Sequence, residues 1–157
     1  MKSKSGFTLV EILIVVVILG ILAAIVIPQF SEASTEAKES RLRNDLQTVR
    51  SQIELFKIQH NDVLPGQGTG STDFATDLTT YTMVDGTPAT TQAPGDGVYG
   101  RYLQAIPTNP WNDSNDVRED GAAAGANSDG WRFDTTTGTF QADDDLSCSD
   151  GTAHTAL

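Results

Sequence analysis

The chain begins with an apolar run from Phe7 to Ile27 that contains a single charged residue, Glu11. At about 1.5 Å per residue, a helix over this run is roughly 32 Å long, which matches a bilayer hydrocarbon core of about 30 Å. The run therefore predicts a helix that spans a membrane. A carboxylate inside such a span costs about 2.5 kcal/mol or more and indicates a functional site, so Glu11 should have a cationic partner.

A second pattern follows Pro28, where apolar residues recur at spacings of three and four up to about Asn61. These spacings place them on one stripe of an amphipathic helix that continues the first. We expect a kink at Pro28, because proline removes a helix hydrogen bond and crowds the carbonyl four residues earlier. The stripe should pack on the rest of the chain, and consists of Leu42, Leu46, Val49, Ile53 and Phe56.

The rest of the chain predicts a small head. Phe74–Tyr81 can form a short helix capped by Asp73. Gly130–Phe133 and Thr139–Ala142, joined by a turn that Gly138 closes, predict a β-hairpin with its aromatic side chains on the helical stripe. The other segments are predicted as an extended stretch over Tyr99–Ile106, polar loops over residues 84–97 and 113–130, and a frayed tail over residues 143–157.

These elements predict an α+β fold in which one long N-terminal helix packs on a small antiparallel sheet. We divide the chain into a leader (1–6), a transmembrane and assembly helix (7–27), its amphipathic continuation (28–61) and a globular head (62–157). Residues 62–157 hold fifteen acidic and three basic residues, a net charge of −12. Such a head should repel nucleic acid and attract basic partners or divalent cations.

The leader supplies a partner for Glu11. Cleavage after Gly6 would leave a new α-amino group on Phe7, about one helical turn from the Glu11 side chain along the axis. A neighbouring subunit displaced by about one turn would bring its amine level with this carboxylate. Unpaired charges in an apolar phase would then drive assembly.

An ordinary secretory signal peptide fits the N-terminus poorly, because the apolar core is too long and no small-residue cleavage site follows it.

The residues KSGFTLVEILIVVVILGILAAIVIPQF closely resemble the processing and assembly segment of type IV pilins and type II secretion pseudopilins. The resemblance implies cleavage between Gly6 and Phe7 by prepilin peptidase, N-methylation of Phe7, and contact of Glu11 with the amine of the next subunit. It also implies a homopolymer in the periplasm that drives protein export, with minor pseudopilins and an inner-membrane assembly platform as partners. The leader lysines, Lys2 and Lys4, favour a cytoplasmic N-terminus and an outward-facing head.

The order of elements in the head, including YLQAIPTNPW and the Trp-bearing hairpin, is similar to that of major pseudopilins. Many type IV pilins have a C-terminal cysteine pair, whereas Cys148 is the only cysteine here. Major pseudopilins bind calcium, so the resemblance suggests Ca2+ ligands, although the spacing fits no EF-hand. The candidates are Asp113, Asp116, Asp143, Asp144 and Asp145.

We expect no enzymatic activity, because the sequence has no nucleophile elbow, P-loop or dinucleotide-binding motif. His60 and His154 lack zinc-site spacing and are interpreted as surface residues.

Two alternatives to a secretion pseudopilin remain open. One is a type IV pilin for adhesion, motility or DNA uptake. The other is a signal-anchored binding domain that never polymerises.

Overall fold

The long helix, α1, is continuous from Leu9 to Gln59. The computed structural model describes residues 6–90 and 97–157, so most of the predicted leader and residues 91–96 of one predicted loop lie outside the described residues. The chain divides into two compact units, the first ending at Ala37 and the second spanning Lys38–Leu157. α1 contributes to both units, which confirms the predicted long helix.

The predicted end of α1 is confirmed to within two residues. Asn61 and Asp62 adopt left-handed backbone conformations, with φ of 54° and 63°. The Asp62 N–H donates to the Lys57 carbonyl at 2.9 Å, a bond across the end of the helix that is typical of a Schellman-type cap. Asparagine and aspartate tolerate this conformation better than most residues, so the two residues stop α1 here.

In the first unit, the apolar side chains of α1 are exposed. From Leu9, which is 82% exposed, to Ile27, at 67%, no large hydrophobic residue is covered by the described chain. The helix is long and apolar enough to cross a membrane. Exposed apolar area costs roughly 25 cal/mol per Å² in water, so a lipid environment stabilises this segment.

In the second unit, the predicted stripe of α1 is the centre of the core. Leu42, Leu46, Val49, Ile53 and Phe56 are each at most 1% exposed. They form one cluster with the aromatic residues of the hairpin and with the short helix α2, Phe74–Thr79. Asp73 caps α2 by accepting a hydrogen bond from the Thr76 N–H at 2.7 Å. Both the stripe and the capped helix are therefore confirmed.

The six strands are short and form two sheets. In the first, β1 (Tyr81–Met83) lies between β2 (Pro88–Ala89) and β3 (Val98–Tyr99), all antiparallel. In the second, β5 (Trp131–Asp134) pairs in parallel with β4 (Val117–Arg118) and antiparallel with β6 (Thr139–Ala142). The α+β architecture with a small antiparallel sheet is confirmed, and its β-structure is divided in two with one parallel pair.

The predicted hairpin is the pair β5–β6. Gly138 closes its turn with φ +76°, and a Cβ at this position would lie 2.9 Å from Leu64. Both the left-handed backbone and the lack of space favour glycine there. Trp131, Phe133 and Phe140 are fully buried in the core cluster. The predicted placement of the aromatic residues is confirmed.

Other predictions for the head require correction. Of the stretch predicted as strand-like or extended, Tyr99–Ile106, only Tyr99 belongs to a strand, β3, and the segments predicted as loops contain β2 and β4. Strands of two residues are too short to show alternation, so pattern analysis missed them. β1, which includes the last residue of the predicted short helix, has three residues and is also too short to show alternation.

The prediction of a frayed tail over residues 143–157 is wrong. Asp143, Asp144 and His154 are at most 1% exposed, and His154 begins a 3₁₀ turn, His154–Ala156. Ser147 and Ala153 form a β-bridge. The tail is held by polar contacts between residues distant in sequence, including Ser149 N–H to Glu39 at 2.6 Å. Such contacts produce no apolar periodicity, so the sequence pattern gave no sign of them.

Candidate functional site

Thr8 and Glu11 form a capping box at the start of α1. The Thr8 N–H and hydroxyl donate to Oε2 of Glu11 at 2.7 and 2.8 Å, and the Glu11 N–H donates to the Thr8 hydroxyl at 3.2 Å. This reciprocal arrangement satisfies backbone donors that the first turn of a helix leaves free. Glu11 therefore has a local structural role in the single subunit, which the sequence-based interpretation did not include.

Gly6 and Phe7 precede α1 in an irregular segment. Both are exposed, Phe7 at 84%, and, apart from its neighbours in the chain, no described residue has an atom within 4 Å of a Cβ built on Gly6. A peptidase needs an extended, accessible backbone at the bond it cleaves. The bond between Gly6 and Phe7 has this accessibility in the subunit, and its cleavage stays a prediction. The kink at Pro28 also stays a prediction, because a helix that continues through Pro28 can be either straight or kinked there.

The five candidate metal ligands do not form one site. Asp113, Asp116 and Asp145 are exposed, whereas Asp143 and Asp144 are buried. Among the described residues, no group of three or more His, Cys, Asp or Glu side chains is placed to hold a metal ion. The two buried carboxylates already have other partners, which are described next.

Asp143 binds a guanidinium. Arg118 donates to its two carboxylate oxygens at 2.6 and 3.2 Å, and the Gly125 and Ala126 N–H groups donate to it at 3.0 and 3.3 Å. Burial raises the pKa of Asp143, but these hydrogen bonds outweigh burial, so the pKa lies below its usual range. Asp143 is therefore an ionised, fully partnered carboxylate.

Asp144 binds a histidine. Its Oδ1 lies 2.5 Å from Nδ1 of His154, and its Oδ2 accepts from the Asn109 amide at 2.9 Å. Both members of the Asp144–His154 pair are at most 1% exposed. These contacts leave Asp144 poorly suited to bind calcium, which takes six to eight oxygen ligands. The residues present therefore do not fit the calcium site that the resemblance suggested.

The interpretation of the histidines as surface residues is wrong, because both are fully buried. His60 stacks on Phe56 with ring centroids 3.7 Å apart, and its ring nitrogens contact the Phe56 carbonyl and the Thr82 hydroxyl. His154 packs against Trp111 at 4.9 Å. Each histidine serves the packing of the second unit, Lys38–Leu157.

Asp77 is a buried acid that sequence reasoning missed. Its Oδ2 accepts from the Gly66 N–H at 2.8 Å and the Ser71 hydroxyl at 2.5 Å, while Oδ1 is buried with no partner in the described chain. It follows Phe74 by three residues and precedes Leu78, so helical spacing places it on the buried face of α2. That spacing was the signal that could have identified it. Burial raises the pKa of Asp77, more than its hydrogen bonds lower it.

The raised pKa of Asp77 predicts a specific pH dependence. The folded protein binds a proton at Asp77 more readily than the unfolded chain, so this group stabilises the fold as the pH falls from 7 towards the ordinary aspartate pKa of 3.8, and loses that effect as the pH rises. When the pH is lowered, the difference in melting temperature between wild type and Asp77→Asn should therefore shift by roughly 2 °C or more in favour of the wild type. Melts followed by tryptophan fluorescence measure this difference.

The Asp62→Asn change serves as the control for the loss of one carboxylate, because the Asp62 side chain is exposed rather than buried. Should the wild-type protein lose stability relative to Asp77→Asn on acidification, Asp77 would not be an acid with a raised pKa.

Comparison with known proteins identifies the N-terminal segment. Residues 1–27 match the prokaryotic N-terminal methylation motif. This motif covers Gly6, Phe7 and Glu11, which are the three residues singled out for processing and assembly.

Known relatives extend the similarity into the head. Type II secretion system core protein G of Pseudomonas aeruginosa is 34% identical over 110 residues, 70% of this chain and 70% of the relative. The protein of that name from Vibrio cholerae is 31% identical over 111 residues, 71% of this chain and 68% of the relative. A fimbrial protein of P. aeruginosa is 31% identical over 86 residues, 55% of this chain and 56% of the relative. No solved structure was found to match.

The exposed apolar helix and these similarities suit a single-pass, membrane-anchored protein. The extent of identity also confirms the resemblance noted in the sequence. The chain belongs to the family of type II secretion system core protein G, the pseudopilins, and carries the prepilin methylation motif at its N-terminus.

Proposed function

We propose that the protein is a structural subunit that polymerises into a short periplasmic filament, and that this filament drives protein export by a type II secretion system. The observation that carries the proposal is Glu11, one carboxylate in an exposed apolar helix that begins with the methylation motif. A charge placed in lipid is costly and indicates a function. Pairing with the amine of a neighbouring subunit offsets that cost only in the assembled state.

The capping box is compatible with this pairing. Both Thr8 donors contact Oε2 of Glu11, and a carboxylate has about four lone-pair sites. The capped side chain can therefore accept a further hydrogen bond from an ammonium without losing its contacts to Thr8. Charge-assisted hydrogen bonds are roughly twice as strong as neutral ones. The contact between the Glu11 carboxylate and the neighbouring ammonium would therefore contribute more to subunit association than a neutral hydrogen bond.

The proposed membrane topology rests on the positive charges of the leader and on the pseudopilin family to which the chain belongs. Lys2 and Lys4 keep the N-terminus in the cytoplasm. The helix is held in the bacterial inner membrane before assembly, with the head in the periplasm. Prepilin peptidase would remove residues 1–6 and methylate Phe7. Further partners would be minor pseudopilins and the inner-membrane assembly platform of the secretion system.

We propose a structural rather than an enzymatic role for the head. Both histidines of the chain, His60 and His154, are buried among packing residues, and its one cysteine, Cys148, is also buried. Burial raises the pKa of the Cys148 thiol, and the nearby Glu39 carboxylate raises it further, which disfavours the reactive thiolate. These residues thus have the environments of core groups rather than of nucleophiles or bases.

A type IV pilin is the second candidate, and similarity to a fimbrial protein favours it. That similarity covers 55% of this chain, whereas the similarity to a secretion core protein covers 70%. With a single cysteine, the chain cannot close a loop by an internal disulfide. The more extensive match favours the secretion filament.

Deletion of the gene in its native bacterium distinguishes the candidates. Loss of exported proteins from the medium, with surface fibres and motility unchanged, is the expected phenotype. Restoration of export by the wild-type gene on a plasmid is the control. Loss of surface fibres with normal export would instead assign the protein to a type IV pilus. Normal export together with normal fibres would favour an anchored domain that does not polymerise.

A further inference from the structure

The acidic loop, residues 113–130, concentrates negative charge around one basic residue. It contains five acids and a single base, Arg118. Arg118 lies in β4, and its side chain is only 13% exposed. The acids of this segment, together with the buried Asp143, need a nearby positive charge to offset their repulsion. Arg118 is the basic residue of the segment that can supply it.

The Arg118 guanidinium is surrounded by oxygen atoms. It donates to Asp143 at 2.6 and 3.2 Å, to both oxygens of Asp120 at 2.7 and 2.8 Å, and to the Ala123 carbonyl at 2.8 Å. All three of its nitrogens take part in these contacts. A guanidinium has five N–H donors in a fixed plane, so this set of acceptors uses nearly all of its capacity.

The acceptors bridge distant parts of the chain. Asp120 and Ala123 belong to the acidic loop, whereas Asp143 follows β6 and is fully buried. Asp143 also accepts from the Gly125 and Ala126 N–H groups and from the Ser128 hydroxyl at 3.3 Å. One guanidinium and one buried carboxylate therefore fix the path of the loop against the hairpin.

We propose that the Arg118 guanidinium is the resident cation of the acidic loop, so that the head folds and keeps its stability without a divalent metal ion. A calcium ion bound to Asp143 would have to displace a guanidinium already bonded to both of its oxygens. An ion that left Arg118 in place would lie close to a like charge, which is unfavourable. The proposal concerns the stability of the head and does not depend on filament formation.

Thermal unfolding of the full chain in detergent micelles, followed by near-ultraviolet circular dichroism, tests this proposal. The wild-type melting temperature should be the same in excess chelator and in millimolar CaCl2. Arg118→Gln should lower it by about 10 °C or more, because it leaves a buried carboxylate without its cation. The control Arg43→Gln removes an Arg–Asp pair, Arg43–Asp150, in which both side chains are exposed, and should shift the melt by about 2 °C or less.

Arg118→Lys keeps the charge but cannot reach three groups of acceptors at once, so its melting temperature should lie between those of wild type and Arg118→Gln. Calorimetric titration of the wild-type chain with CaCl2 should give no saturable heat, a result that does not depend on whether any variant folds. A fall of several degrees in chelator that calcium reverses, or a wild-type melt for Arg118→Gln, would overturn the proposal.

Discussion

Glu11→Gln should abolish filaments while leaving membrane insertion unchanged. Glutamine can still accept hydrogen bonds from Thr8 and maintain the capping box, so the change removes the charge while keeping the local structure. Without the charge, no ion pair forms with the amine of a neighbouring subunit. The filament fraction in sedimentation should fall at least tenfold, the equivalent of about 1.4 kcal/mol per contact.

Two further variants separate charge from other effects. Glu11→Leu removes both the charge and the two bonds that the carboxylate accepts in the capping box, and should fail in assembly to at least the same extent. Glu36→Gln removes an exposed charge from the same helix and should assemble like the wild-type protein. A Glu11→Gln variant that sediments in wild-type amounts would show that the carboxylate charge does not drive assembly.

Gly6→Val should block removal of the leader. A small residue before the scissile bond leaves room for the peptidase, and valine would add a branched side chain there. The part of the subunit that the structure describes leaves room for the change, because apart from the chain neighbours none of its atoms lies within 4 Å of a Cβ on Gly6. The retained leader should add six residues to the mass, and the variant should stay in the membrane without forming filaments.

Gly20→Val is the matched control for this experiment. Gly20 lies within the apolar part of α1, and outside its own helix turn no described residue has an atom within 4 Å of a Cβ on Gly20. Its replacement makes a comparable change away from the cleavage point, so the leader should be removed normally. Normal cleavage of Gly6→Val, detected by intact mass, would exclude Gly6 as the residue that the peptidase recognises.

The parts of the fold that could be predicted are those whose apolar residues recur at a regular local spacing. The stripe from Leu42 to Phe56 follows helical spacing, and each member is buried as expected. The hairpin combines alternation with a glycine at a left-handed position. In each case, neighbouring residues carry the whole signal, so a single sequence was sufficient.

The parts that were missed depend on partners distant in sequence. Arg118 and Asp143 are 25 residues apart, and Ser149 and Glu39 are 110 apart. Nothing in the neighbourhood of Asp143 shows that an arginine will neutralise it, so its run of three aspartates resembled a solvated or metal-binding cluster. The buried histidines were missed for the same reason, since a satisfied core histidine has no local pattern.

The candidate site at the N-terminus was accessible from sequence because its chemistry is local. Gly6, Phe7 and Glu11 lie within six residues, and the family motif covers all three. Their roles in cleavage, methylation and assembly stay predictions. The capping contact of Thr8 with Glu11 became visible only with side-chain positions, although Thr-x-x-Glu is a known capping sequence.

The central claim is that proteolysis creates an amine on Phe7, which then pairs with Glu11 of another copy. Intact mass and N-terminal sequencing of the protein purified from its native membrane test this claim most directly. The account predicts a chain that begins at Phe7, lacks residues 1–6 and carries one additional methyl group. A purified protein that still begins at Met1 would contradict it, because the amine required by Glu11 would not exist.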